Sequence, residues 1–285
     1  MGDLRHRHAD VGDGIRMHYV EAGEGPLVVL LHGFPEFWFG WRNQIDGLAA
    51  RGFRVIAPDL RGYNLTHGPR EVAEYGIEKL AADVAGLIRA VKGGPARLAG
   101  HDWGAAVAWA TAMHHPQRVA RLAVLNVPHP RRMQEGLRTP RQLAKSWYIF
   151  AFQLPRLPER LVRAGNWAFL RRQFEDARPG AFPPEDVARY VEAWERPGAM
   201  TAMVNYYRAA VRDAPRAARR VVPPVKAPTR VIWGDDDRYL SAELAEPHRA
   251  DVPNLERVIH LPGASHWVQH DEPEQVTELL AEFFA

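Results

Sequence analysis

The residues best suited to do chemistry lie in Gly100-His101-Asp102-Trp103-Gly104. The spacing Gly-x-nucleophile-x-Gly marks a sharp strand-to-helix turn that lifts one side chain above a sheet, with small residues permitting the close approach. A serine commonly stands at its centre; here it is Asp102. A carboxylate needs no base to become a nucleophile, because its ordinary pKa of about 3.9 leaves it ionised near neutrality. The N-terminus of the following helix favours the anion further. Attack on carbon by Asp102 would form an alkyl ester, which water must then cleave. The competing reading is structural, since an aspartate here often caps the helix that follows.

Further residues decide between the two. His266, in Pro262-Gly263-Ala264-Ser265-His266-Trp267, follows the last expected strand. Ligands of open α/β sheets bind beyond the carboxyl ends of strands, so this histidine is placed to face Asp102. His260 lies within the strand and His270 past the turn, while His6, His8, His67, His114, His115, His129 and His248 read as surface or capping residues. His101 adjoins Asp102, and the turn should aim it away from the site. Asp235-Asp236-Asp237 follows Trp233-Gly234 and offers a carboxylate to orient the histidine and stabilise its imidazolium. Spacing leaves the choice among the three open, and an acidic turn accounts for at least two. Three consecutive acids do not converge easily on a metal, and no histidine is spaced to join them, so neither metal nor cofactor is expected. His32-Gly33-Phe34-Pro35 ends the first buried strand; there the backbone N–H of Phe34, with that of Trp103, is placed to hold an oxyanion.

The elements that must carry these residues read as strands alternating with helices. Leu27–Leu31, Phe53–Ala57, Ala96–Ala99, Leu122–Asn126, Thr229–Trp233 and Leu255–Leu261 are apolar runs of strand length, and Ile15–Val20 reads as an earlier antiparallel strand. Ile77–Val91 shows one apolar helical face through Leu80, Val84, Leu87, Ile88 and Val91. Trp103–Met113 and Gln275–Phe284 also read as helices. The alternation predicts an α/β fold with a mostly parallel, doubly wound sheet. From Pro130 to Val222 no strand is legible, only helical pattern rich in aromatics, arginine and proline. The expected organisation is therefore a core over residues 1–129 and 223–285 interrupted by a helical cap over 130–222, with prolines at both joints. Cap aromatics Trp147, Phe150, Phe152, Trp167, Phe169 and Phe174 suggest a hydrophobic pocket.

Composition narrows the function classes. The 285-residue chain carries a net charge of only +3 despite many arginines, with basic and acidic residues interspersed, so no nucleic-acid partner is expected. Arg216-Ala217-Ala218-Arg219-Arg220 reads as a solvated face. The absence of cysteine excludes disulfides and thiol catalysis. No stretch approaches the roughly 20 apolar residues of a membrane span, and the N-terminus lacks an apolar signal core. Met1-Gly2 invites comparison with a myristoylation site, but His6 stands where Ser or Thr is needed. A cytoplasmic monomer or homodimer is the expectation.

With these motifs in hand, the chain resembles the epoxide hydrolases of the α/β-hydrolase superfamily from about Ile15 onward. The resemblance rests on His32-Gly33-Phe34-Pro35-Glu36, Asp59-Leu60-Arg61-Gly62-Tyr63-Asn64, Gly100-His101-Asp102-Trp103-Gly104, Trp233-Gly234-x-x-Asp237 and Gly263-x-x-His266-Trp267. Two cap segments add to it: Ser146-Trp147-Tyr148 leading to Phe152-Gln153-Leu154-Pro155, and Asn205-Tyr206-Tyr207-Arg208. Thr66, Ala106 and His67-Gly68 depart from the common pattern. The resemblance implies an α/β-hydrolase fold and selects Asp237 as the charge-relay acid. It also implies that Tyr148 and Tyr207 grip an epoxide oxygen, with Tyr206 the neighbour to test against Tyr207.

The activity implied is hydrolysis of a small hydrophobic epoxide to a vicinal diol through an ester on Asp102, with water activated by His266. A haloalkane dehalogenase would share the nucleophile, but it needs N–H donors for halide, typically Trp103 with either a second Trp or an Asn after His-Gly, the position that Phe34 holds here. A fluoroacetate-type dehalogenase would carry Arg in place of Trp103, and an ordinary esterase would carry serine. A non-catalytic hydrolase-fold binding protein is the alternative of another class.

Overall fold

The structure, a computed structural model, describes residues 4–217 and 219–285. Its strands are β1 (Arg5–Gly12), β2 (Ile15–Ala22), β3 (Leu27–Leu31), β4 (Arg54–Pro58), β5 (Ala96–His101), β6 (Val119–Leu125), β7 (Thr229–Gly234) and β8 (Leu255–Leu261). They form one sheet in the order β1-β2-β4-β3-β5-β6-β7-β8. β1 and β2 are antiparallel to their neighbours, and all pairings from β4 through β8 are parallel. All five residues of β3 are buried, as a strand covered on both faces requires. Each large side chain there contributes about 1.5–3 kcal/mol through burial.

Helices α1 (Arg42–Ala49), α2 (Ile77–Ala90) and α3 (Trp103–His114) cross over between the early strands. Between β6 and β7 the chain runs instead through α4 (Pro130–Gly136), α5 (Pro140–Lys145), α6 (Trp147–Ala151), α7 (Leu157–Phe174), α8 (Pro184–Glu195) and α9 (Ala199–Ala217). The helical conformation of α7 is broken at residues 164–167, where Asn166 and Trp167 take positive φ. After β8 come α10 (Val268–Asp271) and α11 (Pro273–Phe284).

Two departures from the sequence pattern have simple causes. β1 carries Arg5, His6, Arg7 and His8 and has few apolar positions; it pairs on one side only, with β2, and an edge strand needs little hydrophobic signal. β6 ends at Leu125 because Asn126 turns to a φ of 50°. The Met1-Gly2 pair, and Ala218 in the basic run, lie outside the described residues.

Many hydrogen bonds tie the helical insertion to the core, three of them donated by its buried aromatic side chains. The Trp194 indole donates to the Pro35 carbonyl at 2.6 Å, and Tyr206 donates to that of Arg61 at 2.8 Å. Tyr190 donates to Glu36 at 2.9 Å.

Candidate active site

Asp102 sits at the junction of β5 and α3 with φ 48° and ψ −126°, a conformation that surrounding packing must hold in place. The flanking glycines explain how. A Cβ on Gly104 would collide with the Leu31 carbonyl oxygen, and one on Gly100 with the Gly104 carbonyl oxygen. β3, β5 and α3 can meet this closely only without those side chains. Asp102 occupies the N-cap position of α3, yet its carboxylate makes no capping bond. It turns instead toward the loop after β3, where the Phe34 N–H donates to Oδ1 at 2.7 Å. Oδ2 lies 3.6 Å from His266 Nε2.

His266 donates from Nδ1 to Asp237 Oδ2 at 2.7 Å. The three acids after β7 separate by environment. Asp235 pairs with His260 near the surface, Asp236 is exposed, and Asp237 is buried. Asp237 also accepts from Asn126 Nδ2 at 2.8 Å and from the backbone N–H groups of Tyr239 and Leu240 at 2.7 and 2.9 Å. Hydrogen bonds to a charged group contribute about 1.5–3 kcal/mol each, so the loop is built around an ionised Asp237.

The electrostatics follow from this packing. Burial alone would raise the pKa of Asp237, but the facing His266 and the hydrogen bonds outweigh it and hold the carboxyl below its usual range. Asp102 behaves likewise: burial raises it, and the facing His266, with the Phe34 N–H, brings it below its ordinary value. Burial by itself would depress His266, yet the charge of Asp237, the hydrogen bond to it and the nearby Asp102 carboxylate raise it to about 10. With Asp102 unmodified, His266 is therefore an imidazolium held between two anions at neutral pH.

Tyr148 on α6 and Tyr207 on α9 stand over Asp102, their rings 5.8 Å apart centre to centre. Burial first, and the Asp102 charge second, push both phenols well above 10, so each keeps its proton. Tyr207 packs edge-on against Trp103 at 5.1 Å and Phe34 at 5.3 Å. Tyr206 is directed elsewhere, its hydroxyl bonded to the Arg61 carbonyl. The structure thus brings together Asp102, His266, Asp237, Phe34, Trp103, Tyr148 and Tyr207.

A cavity of about 400 Å³ opens from Asp102, Trp103, Tyr148 and Tyr207 and runs along α3 past Ala106 and Ala110. Its lining corrects one expectation from sequence. None of Trp147, Phe150, Phe152, Trp167, Phe169 and Phe174 lines this cavity. Phe152, Trp167 and Phe174 are buried in the packing of the insertion, while Trp147 and Phe150 face outward. The cavity's aromatic walls come from Tyr75, Trp103, Trp109, Tyr148, Tyr206 and Tyr207.

Sequence reasoning also missed two supports. Asn126 reads as the end of a strand, yet it links Asp237 to the Gly234 N–H, its Oδ1 accepting at 2.9 Å. Beneath the site, buried Glu36 accepts from His270 at 2.7 Å, Tyr190 at 2.9 Å and Gln269 at 3.2 Å. Burial would raise Glu36, but the His270 partner and the surrounding bonds hold it far below the carboxylate range. His101 does point away from the cavity, as the turn requires; it donates from Nε2 to the His266 carbonyl at 2.8 Å and accepts from Gln269 at Nδ1. A polar motif residue followed by a histidine-bearing C-terminal loop is the only hint of this network in the sequence. Among the described residues, no three His, Asp or Glu side chains converge as metal ligands would.

A carboxylate lifted on a strand-to-helix turn, facing a histidine and a second acid on later loops of a parallel sheet, defines the hydrolase class of α/β protein. Residues 26–273 match the alpha/beta hydrolase fold family. The chain is 45% identical over 275 residues to the AB hydrolase superfamily protein YfhM of Bacillus subtilis, covering 95% of each chain. It is 37% identical over 279 residues to human epoxide hydrolase 4, covering 95% of this chain and 76% of the human protein. The crystal structure of Bacillus megaterium epoxide hydrolase in complex with an inhibitor superposes with a TM-score of 0.89 at 32% identity, covering 97% of this chain and 99% of that one. The chain belongs to the α/β-hydrolase fold family and, within it, to the epoxide hydrolases.

Proposed function

We propose that this protein hydrolyses a small hydrophobic epoxide to a vicinal diol through a covalent ester on Asp102. The observation that carries the reading is the placement of one carboxylate between three kinds of group. A backbone N–H holds Oδ1, a histidine–carboxylate pair faces Oδ2, and two protonated phenols stand opposite.

In the first step Asp102 Oδ2 bonds to a ring carbon, the ring C–O bond breaks, and the departing oxygen takes a proton from Tyr148 or Tyr207. An alkoxide is a poor leaving group without that proton. Forming the ester removes the Asp102 charge, which is one of the two that keep His266 protonated. His266 then releases its proton, the phenolate is reprotonated, and neutral Nε2 becomes a base. In the second step His266 takes a proton from water, whose oxygen attacks the ester carbonyl carbon. Oδ1, already at the Phe34 N–H, carries the developing negative charge, with the Trp103 N–H as its second donor; such donors contribute roughly 10²–10³ in rate. Collapse passes that proton from His266 to the diol oxygen and leaves Asp102 as a carboxylic acid, whose own proton then moves to neutral His266, restoring both the carboxylate and the imidazolium. Asp237 holds the imidazole in register throughout. The helical segment 130–222 acts as the cap that delivers both tyrosines and encloses the apolar cavity.

The test is the intact mass of His266→Ala after exposure to a small aryl epoxide, with Asp102→Ala as blank. A gain of one epoxide, absent from the blank, is the expected result. An adduct from a haloalkane but from no epoxide would reassign the site to dehalogenation. No adduct from either would leave the binding-protein reading.

A further inference from the structure

Eight large hydrophobic side chains are exposed among the described residues, and six of them fall within one short stretch. Leu143, Trp147, Phe150, Leu154, Leu157 and Leu161 are between 44% and 61% exposed. They lie on α5, on α6, in the turn that holds Leu154 and at the start of α7. The intervening Ser146, Phe152, Pro158 and Val162 are buried, so the run has a packed side and a wet side. An isolated exposed leucine means nothing, but a contiguous apolar stripe containing Trp and Phe marks an interaction surface.

Its charge surroundings choose the occupant. Between residues 138 and 163 the sequence holds Arg138, Arg141, Lys145, Arg156, Arg160 and Arg163 against one acid, Glu159. Glu159 is taken up by Arg208, Lys145 turns inward to the Asp237 carbonyl, and Arg141 pairs with Glu243. Arg138, Arg156, Arg160 and Arg163 are exposed and have no carboxylate partner among the described residues. A second copy docked by two-fold symmetry would bring these arginines against their own counterparts, a like-charge contact that costs affinity. An apolar face of Trp, Phe and Leu flanked by arginines without carboxylate partners is instead the pattern of a surface that settles into the interface of an anionic bilayer. No helix among the described residues is long and apolar enough to cross a membrane, so the contact is peripheral.

We infer that the α5–α6–α7 face docks on anionic lipid surfaces. α6 links that surface to the cavity: it presents Trp147 and Phe150 outward, and Tyr148 and Ile149 line the cavity. A docked protein would have its cavity wall directly behind the lipid contact, where apolar molecules concentrate.

The experiment is co-sedimentation of the full chain with vesicles of phosphatidylcholine alone and of phosphatidylcholine mixed with phosphatidylglycerol. Binding to the mixed vesicles, weakened by salt, is the expected result. Leu157→Ser with Leu161→Ser should abolish it while leaving turnover of a water-soluble epoxide unchanged. Arg156→Glu with Arg160→Glu, at exposed positions that do not depend on core packing, should weaken it roughly tenfold or more. Equal binding to both vesicle types would overturn the charge argument. Absence of vesicle binding would overturn the proposal, as would sedimentation equilibrium showing a wild-type dimer that Leu157→Ser with Leu161→Ser dissociates.

Discussion

The two halves of the candidate site are held by different forces. Asp102, Asp237 and His266 stand on loops at the carboxyl ends of β5, β7 and β8, and each is fixed by directional hydrogen bonds: four to Asp237, one of them from His266, and one from Phe34 to Asp102. Tyr148 and Tyr207 come from α6 and α9 and are positioned mainly by ring edges. Tyr207 lies 5.0 Å from Phe152 and 5.1 Å from Trp103; Tyr148 lies 6.1 Å from Phe152 and 6.0 Å from Tyr239. Aromatic edge contacts contribute about 0.5–1.5 kcal/mol each and tolerate small shifts, whereas a hydrogen-bonded carboxylate does not. In the proposed reaction the sheet half thus sets the geometry of attack, and the helical half adapts to the shape of what is attacked.

The largest effect should come from the sheet half. Asp102→Ala should remove turnover by on the order of 10⁶, as loss of a nucleophile does in other covalent hydrolases; steady-state assay against an aryl epoxide checks it. Asp237→Asn should lower kcat by roughly 10⁴ by releasing the imidazole from its tautomer and orientation. That loss should fall mainly on ester hydrolysis in stopped-flow traces. A loss confined to ring opening would break the division between the halves.

The helical half should respond less. Tyr207→Phe and Tyr148→Phe should each slow ring opening by roughly 10², the lower end of general-acid catalysis, because one phenol remains. Single-turnover alkylation rates read this directly, and unchanged alkylation in both variants would remove the tyrosines from the reaction.

Smaller still is the effect of pH on stability. His266 binds its proton more tightly in the folded chain, its pKa rising from 6.5 to about 10. Its contribution to stability is therefore fully present below 6.5 and lost as pH rises through about 10. Urea midpoints of wild type and His266→Gln should converge over that range, the wild type being the more stable at its lower end. Parallel curves would show that the imidazolium is not held as described.

This contrast also explains what the sequence could and could not show. Asp102 and His266 are legible because a strand-to-helix turn and the loop after the last strand impose local spacing on them. Asp237 is legible only through family resemblance, since local pattern does not separate it from Asp235 and Asp236; long-range partners, Asn126 and His266, make the difference. The Glu36–His270–Tyr190 network joins three distant segments, and no local spacing encodes it. The aromatics of the insertion mislead for a related reason. A helix advertises its apolar residues by periodicity, but periodicity does not say which face meets the cavity, and Trp147 and Phe150 turned outward. β1 escaped notice because an edge strand need not be apolar.

The most direct test follows one oxygen atom. Enzyme in excess over epoxide is allowed a single turnover in water enriched in oxygen-18. If Asp102 is the nucleophile, its own oxygen enters the diol, water's oxygen enters the carboxylate, and the label appears in the Asp102 peptide while the diol stays unlabelled. A diol labelled in that first turnover, with the Asp102 peptide unlabelled, would mean that water attacks the epoxide directly and that no ester forms.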